Sequence, residues 1–207
     1  MKLNKVNDKL ERVFLETGYD YVIGIDEVGR GSWAGPVVVG AYVFSKNSKV
    51  IPQVNDSKKL TFKQRSKLYT KLKSELYVIT YSDVYEIDKY NILEATRLAI
   101  NKAFHKLNLK KSVAFIDGYF KEVFDFECKT IIKGDEKHYS IAAASIMAKV
   151  YRDNLMINLS KKYPNYSFET NVGYGTKKHR DALLKYGVTD IHRRSYKPIR
   201  QLLSSYS

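Results

Sequence analysis

Four carboxylates follow apolar segments that have the composition of β-strands. Asp26 and Glu27 come directly after residues 21–25, Asp117 ends the segment VAFID, and Asp135 follows TIIKG. Strand ends of one sheet can converge although they are far apart in the chain. Carboxylate oxygens suit Mg²⁺ or Mn²⁺ better than zinc. Two such ions about 3.5–4 Å apart can activate water and stabilise the leaving oxygen of a phosphodiester. The pattern therefore predicts metal-dependent phosphodiester hydrolysis.

The same side chains also have structural interpretations that the pattern leaves open. Aspartate commonly starts a turn or caps a helix, and this is the stronger interpretation for each carboxylate taken singly. A competing residue, Asp153, follows Arg152 inside a predicted long helix, where a salt bridge or a structural hydrogen bond is expected. We therefore expect Asp135, which follows Gly134 at a turn, to complete the acidic set.

The net charge of +14 is confined to two segments. Residues 57–73 carry seven basic and no acidic side chains, and residues 161–207 carry ten basic and three acidic ones. An ordinary soluble surface intersperses the two signs, so these basic blocks indicate a polyanionic partner, with nucleic acid favoured. A solvated basic helix together with a basic tail is the alternative, and charge alone does not decide between them.

Length and composition predict one domain over residues 1–207. An apolar content of 44% is enough for a sizeable core, and the apolar runs are too short to cross a bilayer. The single cysteine, Cys128, cannot form an internal disulfide, which suits the reducing cytosol. We therefore expect a cytoplasmic monomer with no membrane segment.

The elements that must position the carboxylates follow from the spacing of apolar residues. Predicted strands cover residues 21–25, 37–44, 77–81, 112–116 and 129–132. Predicted helices cover residues 7–17, a segment from Thr61, and residues 92–107, 140–160, 179–186 and 198–204. Three antiparallel strands followed by strand–helix alternation predict an α/β fold. Its mixed central sheet would be flanked by helices and followed by a C-terminal helical segment.

A series of longer motifs occurs in one order between about residues 20 and 200. They are IDEVGRG (25–31), AGPVVVGA (34–41), NDSKKLT (55–61), EIDKYNILEAT (86–96), FIDG (115–118), KGDEKHYSIAAASIMAKVYRD (133–153), GYGTKKH (173–179) and IHRRSY (191–196). Together they closely resemble the ribonuclease HII family, a type 2 ribonuclease H. The sister type, ribonuclease HIII, usually has an extra N-terminal domain and lacks the GRG triplet, so the resemblance favours type HII.

The resemblance implies roles for particular residues. The residues implied to bind two ions, Mg²⁺ or Mn²⁺, and to carry catalysis are Asp26, Glu27, Asp117 and Asp135. Those implied to contact the ribose 2′-hydroxyl, largely through backbone groups, are Gly29, Arg30 and Gly31. Those implied to hold backbone phosphates are Asn55, Ser57 and Lys58. Tyr174 is implied to stack on the deoxyribose 3′ of the ribonucleotide.

Some positions depart from the family pattern. Ser32 and Trp33 stand where Pro-Leu is frequent, Val172 stands where Lys often precedes GYGT, and Tyr196 replaces a common Phe. The change at Val172 is expected to remove a phosphate contact. Trp33 has two open interpretations, stacking on nucleic acid and packing in a core.

The resemblance also implies a reaction. A ribonuclease H-like core at about residues 20–160 would act with a basic helical substrate-binding segment at 161–207. It would hydrolyse the phosphodiester 5′ of ribonucleotides, in RNA–DNA hybrids and at single ribonucleotides in duplex DNA, leaving a 3′-hydroxyl and a 5′-phosphate. The implied roles are primer removal in DNA replication and ribonucleotide excision. A non-catalytic nucleic-acid-binding module and a same-fold nuclease acting on DNA junctions remain the alternatives.

Overall fold

The computed structural model of the chain describes residues 6–120 and 124–205. Within these ranges the strands are β1 (Tyr21–Val28), β2 (Val37–Ser45), β3 (Tyr77–Ser82), β4 (Ser112–Asp117) and β5 (Cys128–Ile131). The α-helices there are α1 (Lys9–Glu16), α2 (Phe62–Leu72), α3 (Val84–Tyr90), α4 (Ile92–Leu107), α5 (Tyr139–Lys162), α6 (Phe168–Asn171), α7 (Lys177–Tyr186) and α8 (Lys197–Ser205). Short 3-10 helices cover Ser57–Lys59, Gly134–Glu136 and Pro164–Tyr166.

The five strands form one sheet in the order β3-β2-β1-β4-β5. Strands β1 and β4 are parallel, with Ile25 opposite Ile116 at the end of the pairing. Strands β4 and β5 are also parallel, and their pairing ends with Asp117 opposite Ile131. The carboxyl ends of β1, β4 and β5 therefore share one edge of the sheet. The predicted α/β fold with a mixed central sheet flanked by helices is confirmed.

The chain divides into two compact units. Unit 1 comprises Met1–Val28, Val39–Thr80 and Ile100–Val150, and unit 2 comprises Gly29–Val38, Tyr81–Ala99 and Tyr151–Ser207. The core of unit 1 contains strand residues such as Val22 and Phe115, together with Ala142–Ala144 of α5. A core of unit 2 contains Met156, Phe168 and Ile199. Each unit therefore buries its own apolar cluster.

Glycines allow the first turns of α5 to lie directly on the sheet. A Cβ atom added at Gly24 of β1 would lie 2.1 Å from the carbonyl carbon of Ser140. A Cβ atom at Gly40 of β2 would lie 2.5 Å from the carbonyl oxygen of Ala144. Helix and sheet backbones are thus closer than any other residue type permits. The alanine-rich sequence of α5 suits this contact, because small side chains do not hold the two layers apart.

Two helices of unit 2, α3 and α6, were not predicted from the sequence. Helix α3 begins with a capping box, in which the Asp83 side chain accepts from the Glu86 backbone amide and the Glu86 side chain accepts from that of Asp83. This pattern was a readable signal for a helix start. In the part of the chain that the structure describes, no helix is both long and apolar enough to span a membrane.

Candidate metal centre and substrate-binding loops

Three carboxylates converge at the shared edge of β1, β4 and β5. Asp26 follows Ile25, so the parallel register places it beside Asp117, and Asp135 lies in the 3-10 turn after β5. Their ligand oxygens all lie within 4.8 Å of one another. Asp26 is 7% exposed and Asp135 3% exposed. The sequence expectation that strand ends converge is therefore met for these three side chains.

The electrostatics of this acidic triad (Asp26, Asp117 and Asp135) are unfavourable without a cation. Burial, followed by the charges of Glu27 and Asp117, raises the pKa of Asp26 well above its usual value, while a hydrogen bond from Ser145 opposes the rise. Burial and the charge of Asp135 raise the pKa of Asp117. Each shift reflects a carboxylate that lacks a compensating charge. The site therefore fits divalent cations, which take several oxygen ligands.

The basic group found beside the triad does not neutralise it. The Nζ atom of Lys58 lies 3.4 Å from Oδ2 of Asp135, and the Lys58 side chain is 80% exposed. One exposed ammonium cannot balance three carboxylates. Its exposure and its position also leave Lys58 able to meet a phosphate of a bound strand. The structure thus places one of the predicted phosphate ligands at the acidic centre.

Glu27 is placed differently from the other three predicted ligands. It directly follows Asp26 on β1, near the carboxyl end of that strand. Among the described residues, the group of carboxylates close enough to share an ion contains Asp26, Asp117 and Asp135 but not Glu27. The charge of Glu27 nevertheless raises the pKa of Asp26. The competing aspartate, Asp153, belongs to unit 2, where it is buried beside Arg152 in the sequence.

A serine on α5 links the phosphate-binding candidates to the triad. The Ser145 hydroxyl bonds to the carboxylate of Asp26, and its oxygen lies 2.9 Å from that of Ser57. Ser57 is itself 4% exposed. Nearby, Asn55 accepts from the backbone amide of Asp56, and the Asp56 side chain caps the 3-10 turn by accepting from the amide of Lys58. Sequence reasoning missed Ser145, although it is a hydroxyl in an otherwise apolar run.

In unit 2, buried side chains hold the backbone of the glycine-rich loop that follows β1. Nη1 of Arg193 donates to the carbonyl of Arg30 at 2.9 Å, and the Tyr196 hydroxyl donates to the same oxygen. Gly29 has a φ of +93°, and a Cβ atom there would lie 2.2 Å from Nε of Arg152. The loop can therefore present the backbone groups of residues 29–31 in one conformation.

Arg152 joins helix α5 to two other segments of unit 2, one at residues 34–36 and one at Val172. Its guanidinium donates to the carbonyls of Pro36, Val172 and Ala34 at 3.0, 2.8 and 3.1 Å. Burial and the charge of Arg193 lower the pKa of Arg152 to about 10, so it stays protonated at neutral pH. Val172, one of the departures from the family pattern, thus contributes its carbonyl to this network.

Tyr174 lies next to Gly31 and is flanked by two glycines. A Cβ atom at Gly31 would meet the Tyr174 ring at 3.9 Å, and the Arg152 guanidinium lies 5.7 Å from the ring centroid. Trp33 packs within unit 2, because a Cβ atom at Gly175 would lie 2.2 Å from its ring. Of the two open interpretations of Trp33, the structure favours packing. Unit 2 therefore brings together residues 29–31 and Tyr174, the predicted sugar contacts.

Comparisons with known proteins place the chain among nucleases. A family model described as Ribonuclease HII matches residues 23–199. Ribonuclease HII of Chlamydia caviae is 47% identical over 196 residues, covering 93% of this chain and 91% of that protein. The ribonuclease H2 structure from Pyrococcus horikoshii matches with a TM-score of 0.74 at 28% identity, covering 90% of this chain and 98% of that one. A structure of Bst-RNase HIII in complex with Mn²⁺ is similar in fold, with a TM-score of 0.68 at 18% identity, covering 91% of this chain and 70% of that one.

Proposed function

The chain belongs to the ribonuclease HII family, and from this membership we propose how its residues divide the work of cutting nucleic acid. It is an endoribonuclease that acts on RNA–DNA hybrids and, like its family, uses divalent metal ions. We propose that it cuts 5′ of a ribonucleotide, including a single one embedded in duplex DNA, leaving a 3′-hydroxyl and a 5′-phosphate. The observation that carries the proposal is the acidic triad, in which Asp26 and Asp135 are buried and Asp117 half-buried, and whose ligand oxygens lie within 4.8 Å of one another.

The proposed ligands of two Mg²⁺ or Mn²⁺ ions are the triad together with Glu27. A solved structure of Bst-RNase HIII, which is similar in fold, contains Mn²⁺, and this supports Mn²⁺ as one of the candidate ions. Such ions, when bound, activate water and neutralise charge on the leaving oxygen. In this chain, the hydrogen bond from Ser145 holds the Asp26 carboxylate in place, and the amide of Gly134 donates to Asp117 at 2.6 Å. These contacts orient the carboxylates before substrate arrives.

Recognition of ribose is proposed to come from unit 2. Arg193 and Tyr196 fix the Arg30 carbonyl, so backbone groups of residues 29–31 can meet a 2′-hydroxyl without rearranging. A 2′-hydroxyl is what distinguishes RNA from DNA at one position. Tyr174, beside Gly31, would lie against the next sugar. We further propose that the protein works as a monomer in the cytoplasm. There it would meet RNA primers and the ribonucleotides that replication leaves in DNA.

The deciding experiment uses a labelled DNA duplex that contains one ribonucleotide. Incubation with Mg²⁺ or Mn²⁺ should give one cut on the 5′ side of that nucleotide, and EDTA should abolish it. Equal cutting of an all-DNA duplex would support the DNA-junction nuclease instead. Tight binding without any cutting under all metal conditions would support the non-catalytic binding module.

Changing Lys58 to Gln should weaken binding to all duplexes alike. Lys58 is proposed to hold a phosphate, as part of a grip that includes the basic blocks 57–73 and 161–207. Loss of one phosphate contact should lower the slope of log affinity against log salt by about 0.9 and weaken binding five- to tenfold near 0.1 M salt. Fluorescence anisotropy in EDTA measures both quantities. Lys46→Gln, an exposed lysine outside the blocks, is the control. An unchanged slope for Lys58→Gln would remove Lys58 from the phosphate grip.

Changing Tyr174 to Ala should slow cutting at a single ribonucleotide by about tenfold or more while altering the Kd less than about threefold. The reason is that the ring is proposed to align the sugar next to the cut rather than to add affinity. Single-turnover rates and equilibrium binding on one substrate give the two values. Tyr186→Ala, an exposed tyrosine of the same unit, is the matched control. A parallel fall of rate and affinity would make Tyr174 a binding contact only.

A further inference from the structure

Two buried histidines of unit 2 form a direct pair. His179, on α7, is fully buried and His192 is 1% exposed. Their Nε2 atoms lie 3.0 Å apart, a hydrogen-bond distance. Phe168 packs edge-on against His179 at 5.3 Å, and Tyr166 lies 5.2 Å from His192. The pair is thus enclosed by aromatic rings, and none of the roles described above uses it.

The neighbours of the pair determine where its hydrogens are. The backbone amide of Thr189 donates to Nδ1 of His192 at 3.0 Å, so that atom carries a lone pair and Nε2 of His192 carries the hydrogen. This hydrogen is donated to Nε2 of His179, which leaves the hydrogen of His179 on Nδ1. That Nδ1 atom lies 3.0 Å from the carbonyl oxygen of Tyr174. All four ring nitrogens are satisfied, and each histidine has one allowed tautomer.

The far end of this chain of hydrogen bonds is the backbone of Tyr174. Tyr174 stands between Gly173, whose φ is +87°, and Gly175, so its neighbours contribute no side chains that could anchor it. Its backbone is held by hydrogen bonds instead. The amide donates to the carbonyl of Asn171 at 2.9 Å, and the carbonyl accepts from Thr176 as well as from His179. Of these contacts, the one from His179 comes from a side chain that is itself fixed by a second buried ring.

We propose that His179 and His192 are positioning residues for Tyr174, acting through the hydrogen-bond chain from the Thr189 amide to the Tyr174 carbonyl. The proposal rests on the proposed function, in which the Tyr174 ring aligns the sugar beside the cut. The pair must be neutral, since a second hydrogen on either ring would face another donor. Burial lowers the pKa of both histidines, that of His192 to about 4. The pair is therefore neutral at neutral pH.

The test compares variants by single-turnover cutting at one embedded ribonucleotide. His179→Ala and His192→Ala should each lower the cutting rate by about tenfold, with the Kd changed less than about twofold. His179→Asn, whose amide can donate from the position of Nδ1, should stay within about threefold of wild type. His192→Gln, whose amide can donate from the position of Nε2, should do the same. Leu183→Ala, in the same apolar cluster, should lose stability but keep the wild-type rate.

A double mutant separates positioning from general damage. In a Tyr174→Ala background, His179→Ala should slow cutting by less than about twofold further, because the residue that it positions is already gone. Independent, multiplying losses would overturn the proposal, as would a slow Leu183→Ala or a His179→Asn as slow as His179→Ala. If His179→Ala does not fold, the rates of His192→Ala and His192→Gln provide the same comparison.

A wild-type protein that leaves the ribonucleotide uncut would refute the proposed function. Normal wild-type cutting with a fast His179→Ala would refute the positioning role alone.

Discussion

Asp135→Asn is expected to lower the cutting rate by about a thousandfold, which corresponds to a loss of about 4 kcal/mol of transition-state stabilisation. Asparagine keeps the shape of the side chain but removes one negative charge from the acidic triad. Asp135 is 3% exposed, and because asparagine fills the same space, the fold should tolerate the change. Because a like charge is removed from a crowded cluster, the melting temperature without metal should stay close to wild type or rise. Single-turnover rates and melting curves measure these two effects, and a calorimetric Mn²⁺ titration compares metal binding between the variant and wild type.

Asp153→Asn is the matched control. It is the other buried aspartate considered for the fourth ligand position, and we expect its loss to lower stability while metal-dependent cutting persists. The reverse result, with Asp153→Asn losing metal-dependent activity and Asp135→Asn keeping it, would show that the fourth carboxylate has been assigned wrongly. Substrate affinity measured in EDTA should be similar for both variants, because neither residue is proposed to contact the nucleic acid directly.

Gly24→Ala should lower the free energy of unfolding by about 3 kcal/mol or more, or prevent folding. The added Cβ atom would lie 2.1 Å from the carbonyl carbon of Ser140, 2.3 Å from its oxygen and 2.5 Å from the backbone nitrogen of Ile141. All three are backbone atoms of α5, so no side-chain rotation can relieve the overlap. Either β1 or the first turn of α5 must move. Urea unfolding followed by circular dichroism gives the value.

Gly31→Ala provides the comparison, since its Cβ atom would meet nothing closer than a Tyr174 ring atom at 3.9 Å. Its effect on the free energy of unfolding should be within about 0.5 kcal/mol, as for a substitution without a clash. Similar small losses in both variants would mean that α5 can move off the sheet at low cost. The close contact between α5 and β1 would then not determine stability.

The acidic triad could be predicted in outline because its positions depend on local composition. Asp26 lies near the carboxyl end of β1, which extends three residues beyond the predicted strand, Asp117 ends β4 and Asp135 follows β5. The apolar residues of these strands are recognisable in the sequence, and parallel strands bring their carboxyl ends to one edge. Asp117 shows this most directly, since it is the last residue of β4 and continues the register that pairs Ile25 with Ile116. The small side chains of Ala142–Ala144 on α5, which suit close packing on a sheet, are likewise a matter of local composition.

The remaining parts of the site depend on contacts between distant residues, which local composition does not encode. Ser145 bonds to Asp26, 119 positions away in the chain, and nothing near either residue announces the other. The packing of Trp33 depends on its contact with Gly175, which is far away in the chain. Helix α3 is a different case, because its capping box is a local signal that the sequence contains. The helix has only seven residues, too few for a clear periodic pattern of apolar side chains.

The hydrogen bonds of Arg152 have a consequence for how the substrate-binding loops open. Its three acceptors are 116, 20 and 118 residues away in the chain, so the bonds form only when distant segments are all in place. Releasing one of these carbonyls leaves part of a buried positive charge unsolvated, which is costly. Opening one segment alone is therefore unfavourable. The backbone amides around Ala34, Pro36 and Val172 should exchange with deuterium together, as one cooperative unit rather than as separate mobile loops.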